Sequence, residues 1–438
     1  MDAITNVLVG PVQPWDALIC TSPTVKNNVE KLLQTQVDYL QDRLSIQRLV
    51  LPQLPVIPLG LHCDDFDFSP KQKAKAREDL GIANDTLVVL FAGRLSFHAK
   101  AHPLAMYQAL QAAIPSLPKG QNLLLIELGW FGNEPIANAF KQAAQWASPG
   151  LQVKHLDGRE ASARQLAWAS ADLFCSLSDN LQETFGITPI EAMAAGLPAV
   201  VSDWDGYRGS VDHGVTGYRV PTCMPTAGHG NDLAQRHALG VDTYDMYCGF
   251  TSSLVSVDIA ATTEAFKALF QSPSLRKTMG EAGRQRARQQ FDWSVVIGQY
   301  EALWQGLATI RKAAASAPQG SWPARQDPFH LFASYPSSSL TEQTVLRRRH
   351  DTVDQSLAFF EGVMQLAMVT YARPAMPSEA ELRAVIAAAS GKQERSYTVG
   401  ELVQVLPAER LSQGLRGLAW LLKLGVFEQV HPVPDPKA

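Results

Sequence analysis

Between Leu87 and Ser202, short apolar runs alternate with segments whose apolar positions recur at helical spacing. The pattern predicts strands over 87–92, 122–128, 151–156, 172–177 and 198–202, and helices over 103–114, 134–146, 162–170 and 188–195. Short strands that are apolar throughout are buried on both faces, which implies parallel βαβ units flanked by helices. Right-handed crossovers then make a doubly wound α/β sheet. Upstream, 16–22 reads as a short buried strand ending in a helix cap, 23–48 as a helix and 56–60 as a linker. Downstream of the last strand comes a loop carrying Gly206, Gly209, Gly214 and Gly217, and 254–310 reads as helical. The run 313–328, rich in Ala, Ser, Pro and Gln, reads as a linker. The segment after it is mostly helical from about 341 to 430, with short helices over 399–406 and 408–424.

Composition changes this picture little. With 438 residues the chain has room for two or three domains, and 46% hydrophobic with 18% charged residues describes a protein with a sizeable core. A net charge of −4 argues against general nucleic-acid binding. The five cysteines are odd in number and scattered, without a CxxC pair or a His/Cys cluster, so neither a disulfide framework nor a zinc site is expected. Reduced thiols in a cytoplasmic protein are the simplest reading, with peripheral attachment at the inner membrane face left open. No apolar run is long enough to cross a membrane.

Candidate chemistry concentrates in two places. In the stretch 183–198, Glu183 and Glu191 lie eight positions apart, separated by an apolar turn with Phe185, Gly186, Ile187 and Thr188. Pro189 suits the first turn of a helix, where no donor is needed and its φ is already helical. Gly196 and Pro198 mark the helix end. A loop carboxylate and a helix carboxylate therefore flank a helix start whose free N–H groups attract anions. That suits a ligand carrying both hydroxyls and phosphate, such as a nucleotide sugar. The loop 93–102 follows a strand and precedes a helix. Gly93 there allows close backbone approach, and Arg94 and Lys100 add two positive charges able to bind phosphate oxygens. Taken singly, a basic loop is solvated surface and a glutamate near a helix start is a response to the helix dipole.

Together, the segment 172–198 with Glu183, Phe185, Gly186 and Glu191 resembles the donor-binding domain of family 4 retaining glycosyltransferases of the GT-B fold. Ile57, Pro58 and Gly60 agree, as do Gly93, Arg94 and Lys100, Gly158, and Gly214 with Gly217 and Tyr218. So do Met279 to Arg284 and Phe291, Asp292 and Trp293, and the resemblance spans roughly 55–308. It implies that Glu191 holds the ribose, that Glu183 contacts the transferred sugar, and that Arg94 and Lys100 neutralise the departing diphosphate. Backbone groups near Gly186 to Thr188 add donors. No metal and no cofactor beyond the nucleotide-diphosphate sugar is implied, and the acceptor is a saccharide or a lipid-linked group.

Departures from the family pattern carry their own expectations. The gap from Arg94 to Lys100 is one residue longer than the family spacing, and Ala101 stands where glycine is common. Residues 203–210 replace a simpler glycine-rich turn, so Asp205 and Tyr207 belong either to a rigid surface turn or to the donor site. A GT-B enzyme has two Rossmann-like domains, yet only residues 1–54 precede the donor domain (55–310) and resemble the last strand and helix of an acceptor domain. The implication is a truncated frame, one half of a split enzyme needing a separate acceptor-domain chain, or a chain that lost activity. After a linker (311–340), residues 341–438 include two helices and a strand resembling a winged-helix module. Glu394, Glu401, Glu409 and Glu428 oppose a DNA-reading face there and favour packing or partner binding.

Overall fold

The computed structural model describes residues 2–314, 325–392 and 394–430, and most of the linker expected over 313–328 lies outside these. The chain divides into two compact units, Met1–Ala317 and Pro318–Ala438.

After two short helical turns (Asp2–Thr5 and Asn6–Val9), the first long helix of the first unit is α1 (Pro23–Leu44), started by the Ser22 side chain accepting from the Val25 N–H and ended by Ser45 at φ 53°. The residues expected as a strand over 16–22 make only isolated parallel bridges, Ala17 to Gln53 and Cys20 to Val56. Pro14, Pro52 and Pro55 bracket the pairing, and a proline supplies no ladder donor. Helix α1 buries Val29, Leu33, Val37 and Leu40, one stripe at helical spacing, against Leu8 and Cys20.

Helix α2 (Pro70–Asp79) precedes the repeating part: β1 (Thr86–Ala92), α3 (Leu104–Ala113), β2 (Asn122–Gly129), α4 (Glu134–Ala147), β3 (Gln152–Asp157), α5 (Ala161–Ser170), β4 (Leu173–Ser176), α6 (Ile187–Ala194), β5 (Ala199–Ser202) and β6 (Gly217–Val220). The strands pair in the order β3-β2-β1-β4-β5-β6, all parallel. The doubly wound α/β sheet expected from the pattern is therefore present, with one more strand than the apolar runs predicted. Strand β6 lies in the stretch that the pattern predicts as loop, because Gly217, Tyr218 and Arg219 interrupt the apolar signal. Gly217 is required where it sits, since a Cβ there would lie 2.1 Å from the Ala199 carbonyl oxygen.

Alternate residues of the central strands feed two cores. Leu87, Val89 and Phe91 pack with α3 and with Phe266 and Phe270 on one face, while Val88, Leu90 and Ala92 meet Trp168 and Ala192 on the other. This two-sided burial is why those strands are apolar throughout. Beyond β6 come β7 (Thr222–Cys223), α7 (Asn231–Ala238), α8 (Tyr244–Ser252), β8 (Ser256–Val257), α9 (Ile259–Gln271), α10 (Pro273–Arg286) and α11 (Trp293–Ala313). Trp293 packs where Gly60 has no side chain, and a Cβ at Gly60 would meet the indole at 2.3 Å.

The second unit holds β9 (Val345–Arg348), α12 (Val353–Val363), α13 (Glu379–Ala388), β10 (Tyr397–Thr398), α14 (Val399–Val403), α15 (Leu411–Leu424) and β11 (Phe427–Gln429). The two helices and strand expected over 399–429 form. They are joined by an antiparallel sheet in the order β10-β9-β11, which the mostly helical reading missed. Its central strand, Val-Leu-Arg-Arg, offers too short an alternation to be seen in sequence. Leu346, Phe360, Ile386, Leu402 and Leu418 form its core, and Trp420 is buried there as expected.

Candidate functional site

The strand order places a topological switch point at β1 and β4, where one half of the sheet grows through β2 and the other through β5. Ligands of doubly wound sheets bind in the crevice beyond the carboxyl ends of the strands at such a point. The chain leaves β1 into the loop 93–102 and leaves β4 into the loop 177–186. These two loops carry most of the residues singled out from sequence.

The loops are laced together by hydrogen bonds. Ser178 Oγ donates to the Lys100 carbonyl at 3.2 Å, Asn180 Nδ2 to the His98 carbonyl at 2.8 Å, and the His102 N–H to Asp179 Oδ1 at 3.3 Å. Ser202 Oγ in turn donates to the Ser178 carbonyl at 2.5 Å, and Trp204 Nε1 to the Asn180 carbonyl at 3.0 Å. Across this junction the Lys100 ammonium is ion-paired with the Glu183 carboxylate. Glu183 is buried, with 9% of its side chain exposed, so a partner is needed to offset the loss of water. Arg94 is exposed and braces its guanidinium on the Ala99 carbonyl of its own loop at 3.0 Å.

Helix α6 begins at Ile187, with Gly186 at φ 74° as its cap residue and Pro189 within its first turn. It ends as expected at a left-handed Gly196, whose N–H bonds the Met193 carbonyl. Glu191 lies in its second turn. Burial pushes the Glu191 carboxyl up to about 7, against the opposing pull of the Arg164 and Lys100 charges. Lys100 therefore serves both glutamates, paired to one and within electrostatic reach of the other.

Glu191, Thr188 and Gly93 line a cleft of about 550 Å³ with Gly129, Gly158 and Trp130. The glycines keep its floor flat: a Cβ on Gly129 would sit 2.0 Å from the Gly93 carbonyl oxygen, and one on Gly158 would meet the Gly129 backbone at 3.1 Å. Gly93 itself, at φ 153°, leaves room for the Lys100 stem, whose Cε would lie 3.3 Å from an added Cβ.

Two residues of the set are placed differently. Phe185 turns its ring into the core, edge-on to Phe291 at 6.2 Å, and Ile187 packs against the same cluster. Their side chains support the start of α6 from below rather than line the cleft.

Sequence reasoning missed the part played by Tyr207. The turn 203–210 is not a surface turn at this residue, which is fully buried. Its hydroxyl lies 2.8 Å from Ser176 Oγ and 3.4 Å from Glu183 Oε2. The ring occupies the space that Gly186 leaves free, because a Cβ on Gly186 would fall 1.9 Å from Tyr207 Cε1. No local signal marks this contact. Asp205, at φ 39°, is pushed up to about 7, chiefly by burial, and accepts from Ser22 Oγ at 3.3 Å. Arg164, which lines the same cleft as Glu191 and acts on its carboxyl through charge, had no signal either, being one helix cation among many. Among the described residues, no group of three His, Cys, Asp or Glu side chains is placed to hold a metal ion. No described helix is long and apolar enough to cross a membrane.

Residues 72–228 match the family model for glycosyl transferases group 1. The chain is 30% identical over 157 residues to a phosphatidyl-myo-inositol mannosyltransferase of Mycobacterium leprae, covering 36% of this chain and 32% of that one. It is 27% identical over 252 residues to the protein of the same name from Mycobacterium tuberculosis, covering 58% and 54%. A D-inositol 3-phosphate glycosyltransferase of Thermobispora bispora is 32% identical over 194 residues, 44% of each chain. The matches thus span from about a third to about half of the length of these relatives. Among solved structures, a glycosyltransferase from Rickettsia africae superposes with a TM-score of 0.47 at 16% identity, covering 70% of this chain and 68% of that one.

Proposed function

We propose that the chain binds a nucleotide-diphosphate sugar at the β1–β4 switch point and transfers its sugar to a hydroxyl of a saccharide or lipid-linked acceptor, with retention of configuration. The observation that carries this reading is the bridging of two loops by Lys100 and Glu183 beside a glycine-floored cleft walled by Glu191. The group 1 glycosyltransferase match over the same residues supports it.

In the proposed complex the base and ribose occupy the cleft, and Glu191 accepts from ribose hydroxyls. The diphosphate lies over Gly93 and the start of α6, where backbone N–H groups and the helix dipole favour negative charge. It draws Lys100 away from Glu183, and Arg94 swings in from its exposed position. Glu183, released from the ammonium, accepts from the sugar hydroxyls and orients the anomeric carbon. Tyr207 and Ser176 hold that carboxylate in place. As the bond from the anomeric carbon to the diphosphate oxygen breaks, negative charge grows on the phosphate, and Lys100 and Arg94 stabilise it without calling on a metal ion. The acceptor oxygen bonds to the anomeric carbon on the face the diphosphate leaves, and its proton passes to the departing phosphate.

Calorimetry of the full chain against UDP-, GDP- and ADP-sugars tests the reading. One base is expected to bind, with affinity at least tenfold lower in Glu191→Ala. Equal affinity in the variant, or no binding in any arm, would sink the proposal.

A further inference from the structure

A second recess lies at the opposite end of the sheet, below the amino ends of β4 and β5. Its volume is about 420 Å³, and Asp172 and Gly196, which lead into those strands, are part of its wall. Five cations line it: Lys73 and Arg77 one turn apart on α2, and Arg276, Lys277 and Arg284 on α10. Only two acids, Asp172 and Glu281, share the lining, so it holds a surplus of three positive charges (five less two) in a chain of net charge −4.

Part of that surplus has a structural use. Arg77 donates to the Ser170 carbonyl and Asp172, both at 3.1 Å; Arg276 to the carbonyls of Leu269 and Phe270 at 2.5 and 3.2 Å; and Arg284 to the Ala195 carbonyl at 3.3 Å. Each guanidinium thus caps the C-terminal end of a helix, worth roughly half a negative charge apiece. Three such ends offset about half of the surplus. Left over are Lys73 and Lys277, whose ammonium groups make no ion pair or hydrogen bond among the described residues, and the buried Arg284 Nε, which has no acceptor. Burial and then the Arg284 charge lower the Lys73 ammonium's pKa from its ordinary value, against the opposing pull of Asp172 and Asp67.

We infer that this recess is a binding site for a phosphate-bearing anion. A phosphate monoester carries about 1.5 to 2 negative charges near neutral pH, which matches the surplus that capping leaves. Guanidinium and ammonium groups are the side chains that bind phosphate oxygens. The site is separate from the β1–β4 loops and takes nothing from the donor-site reading.

The test is thermal unfolding of the full chain with inorganic pyrophosphate, and co-sedimentation with phosphatidylcholine vesicles containing phosphatidylglycerol. Wild type, Lys73→Glu, Lys73→Gln and Arg94→Ala are compared. For a soluble ligand, pyrophosphate at tenfold its Kd for the recess raises the midpoint by about 2 °C in wild type and keeps most of that shift in Arg94→Ala, while both Lys73 variants lose the part that Arg94→Ala retains. Without pyrophosphate, Lys73→Glu unfolds at or above the wild-type temperature, because its carboxylate replaces the missing anion. Lys73→Gln reads the same loss should Lys73→Glu fail to fold. Vesicle binding that depends on Lys73, with no pyrophosphate effect, assigns the site to a lipid headgroup. A wild type indifferent to both probes, or Lys73 variants as responsive as wild type, overturns the inference.

Discussion

Lys100 and Glu183, 83 positions apart in sequence, form one ion pair that bridges the loops after β1 and β4. Both carboxylates of the 183–198 segment sense this ammonium, since its charge also pulls down on Glu191. Replacing Lys100 by Gln leaves Glu183 buried with the Tyr207 hydroxyl as its remaining donor. Transfer or donor hydrolysis is expected to fall on the order of 100-fold or more, the cost of losing one preorganised charge partner. Single-turnover rates with the donor found by calorimetry check this, and a Lys100→Gln rate within threefold of wild type contradicts the role given to Lys100.

Tyr207→Phe removes only the hydroxyl that lies between Ser176 and Glu183. The lost buried hydrogen bond is expected to cost about 1 kcal/mol in urea unfolding. If Tyr207 positions Glu183, kcat falls while nucleotide affinity stays near wild type, because Glu191 and the cleft are untouched. A purely structural tyrosine would leave kcat unchanged at temperatures well below unfolding.

Gly186→Ala combines a left-handed backbone with a Cβ placed 1.9 Å from the Tyr207 ring. Strain and overpacking together are expected to destabilise by about 2–5 kcal/mol. The double variant Gly186→Ala with Tyr207→Ala relieves the clash but keeps the strain, so a double-mutant cycle should recover part of the loss. Strict additivity would show that the ring is not what Gly186 accommodates.

The Glu191 carboxyl gives a pH signature. Its folded pKa of about 7 lies above the ordinary 4.5 because burial disfavours the charged form. Between these values the unfolded chain releases a proton that the native chain keeps, so this group makes folding less favourable as pH rises from about 4.5 to about 7. Glu191→Gln removes the penalty. Its stability relative to wild type should therefore grow across that window, approaching about 3 kcal/mol, as read from urea midpoints at pH 5 and pH 8. Nucleotide affinity runs the opposite way. If ribose hydroxyls donate to the ionised acid, as proposed above, wild-type binding tightens as pH rises through about 7, and the Gln variant loses this component.

The alternation of apolar runs and helical stripes was enough to determine the doubly wound sheet from β1 to β5, because strands buried on both faces have little choice but to be apolar throughout. The bounds of α6 were equally legible: Pro189 in its first turn and Gly196 at its end act through their own backbone geometry, which needs no distant partner. Sequence likewise singled out Glu183, Glu191, Gly93 and Lys100, whose residue types suit a phosphate-and-hydroxyl ligand. Tertiary structure alone decided which of them meet. The ion pair of Lys100 with Glu183, the Tyr207 hydroxyl beside that carboxylate and the charge of Arg164 on Glu191 join segments with at least one whole strand between them. Such contacts depend on which strands become neighbours, and no local periodicity encodes that. The same reason hid β6 and β9, short strands whose pairing comes from the sheet they join. It also placed Phe185 in the core: the turn before α6 points its ring toward Phe291, a direction set by packing and not by the residue's own chemistry.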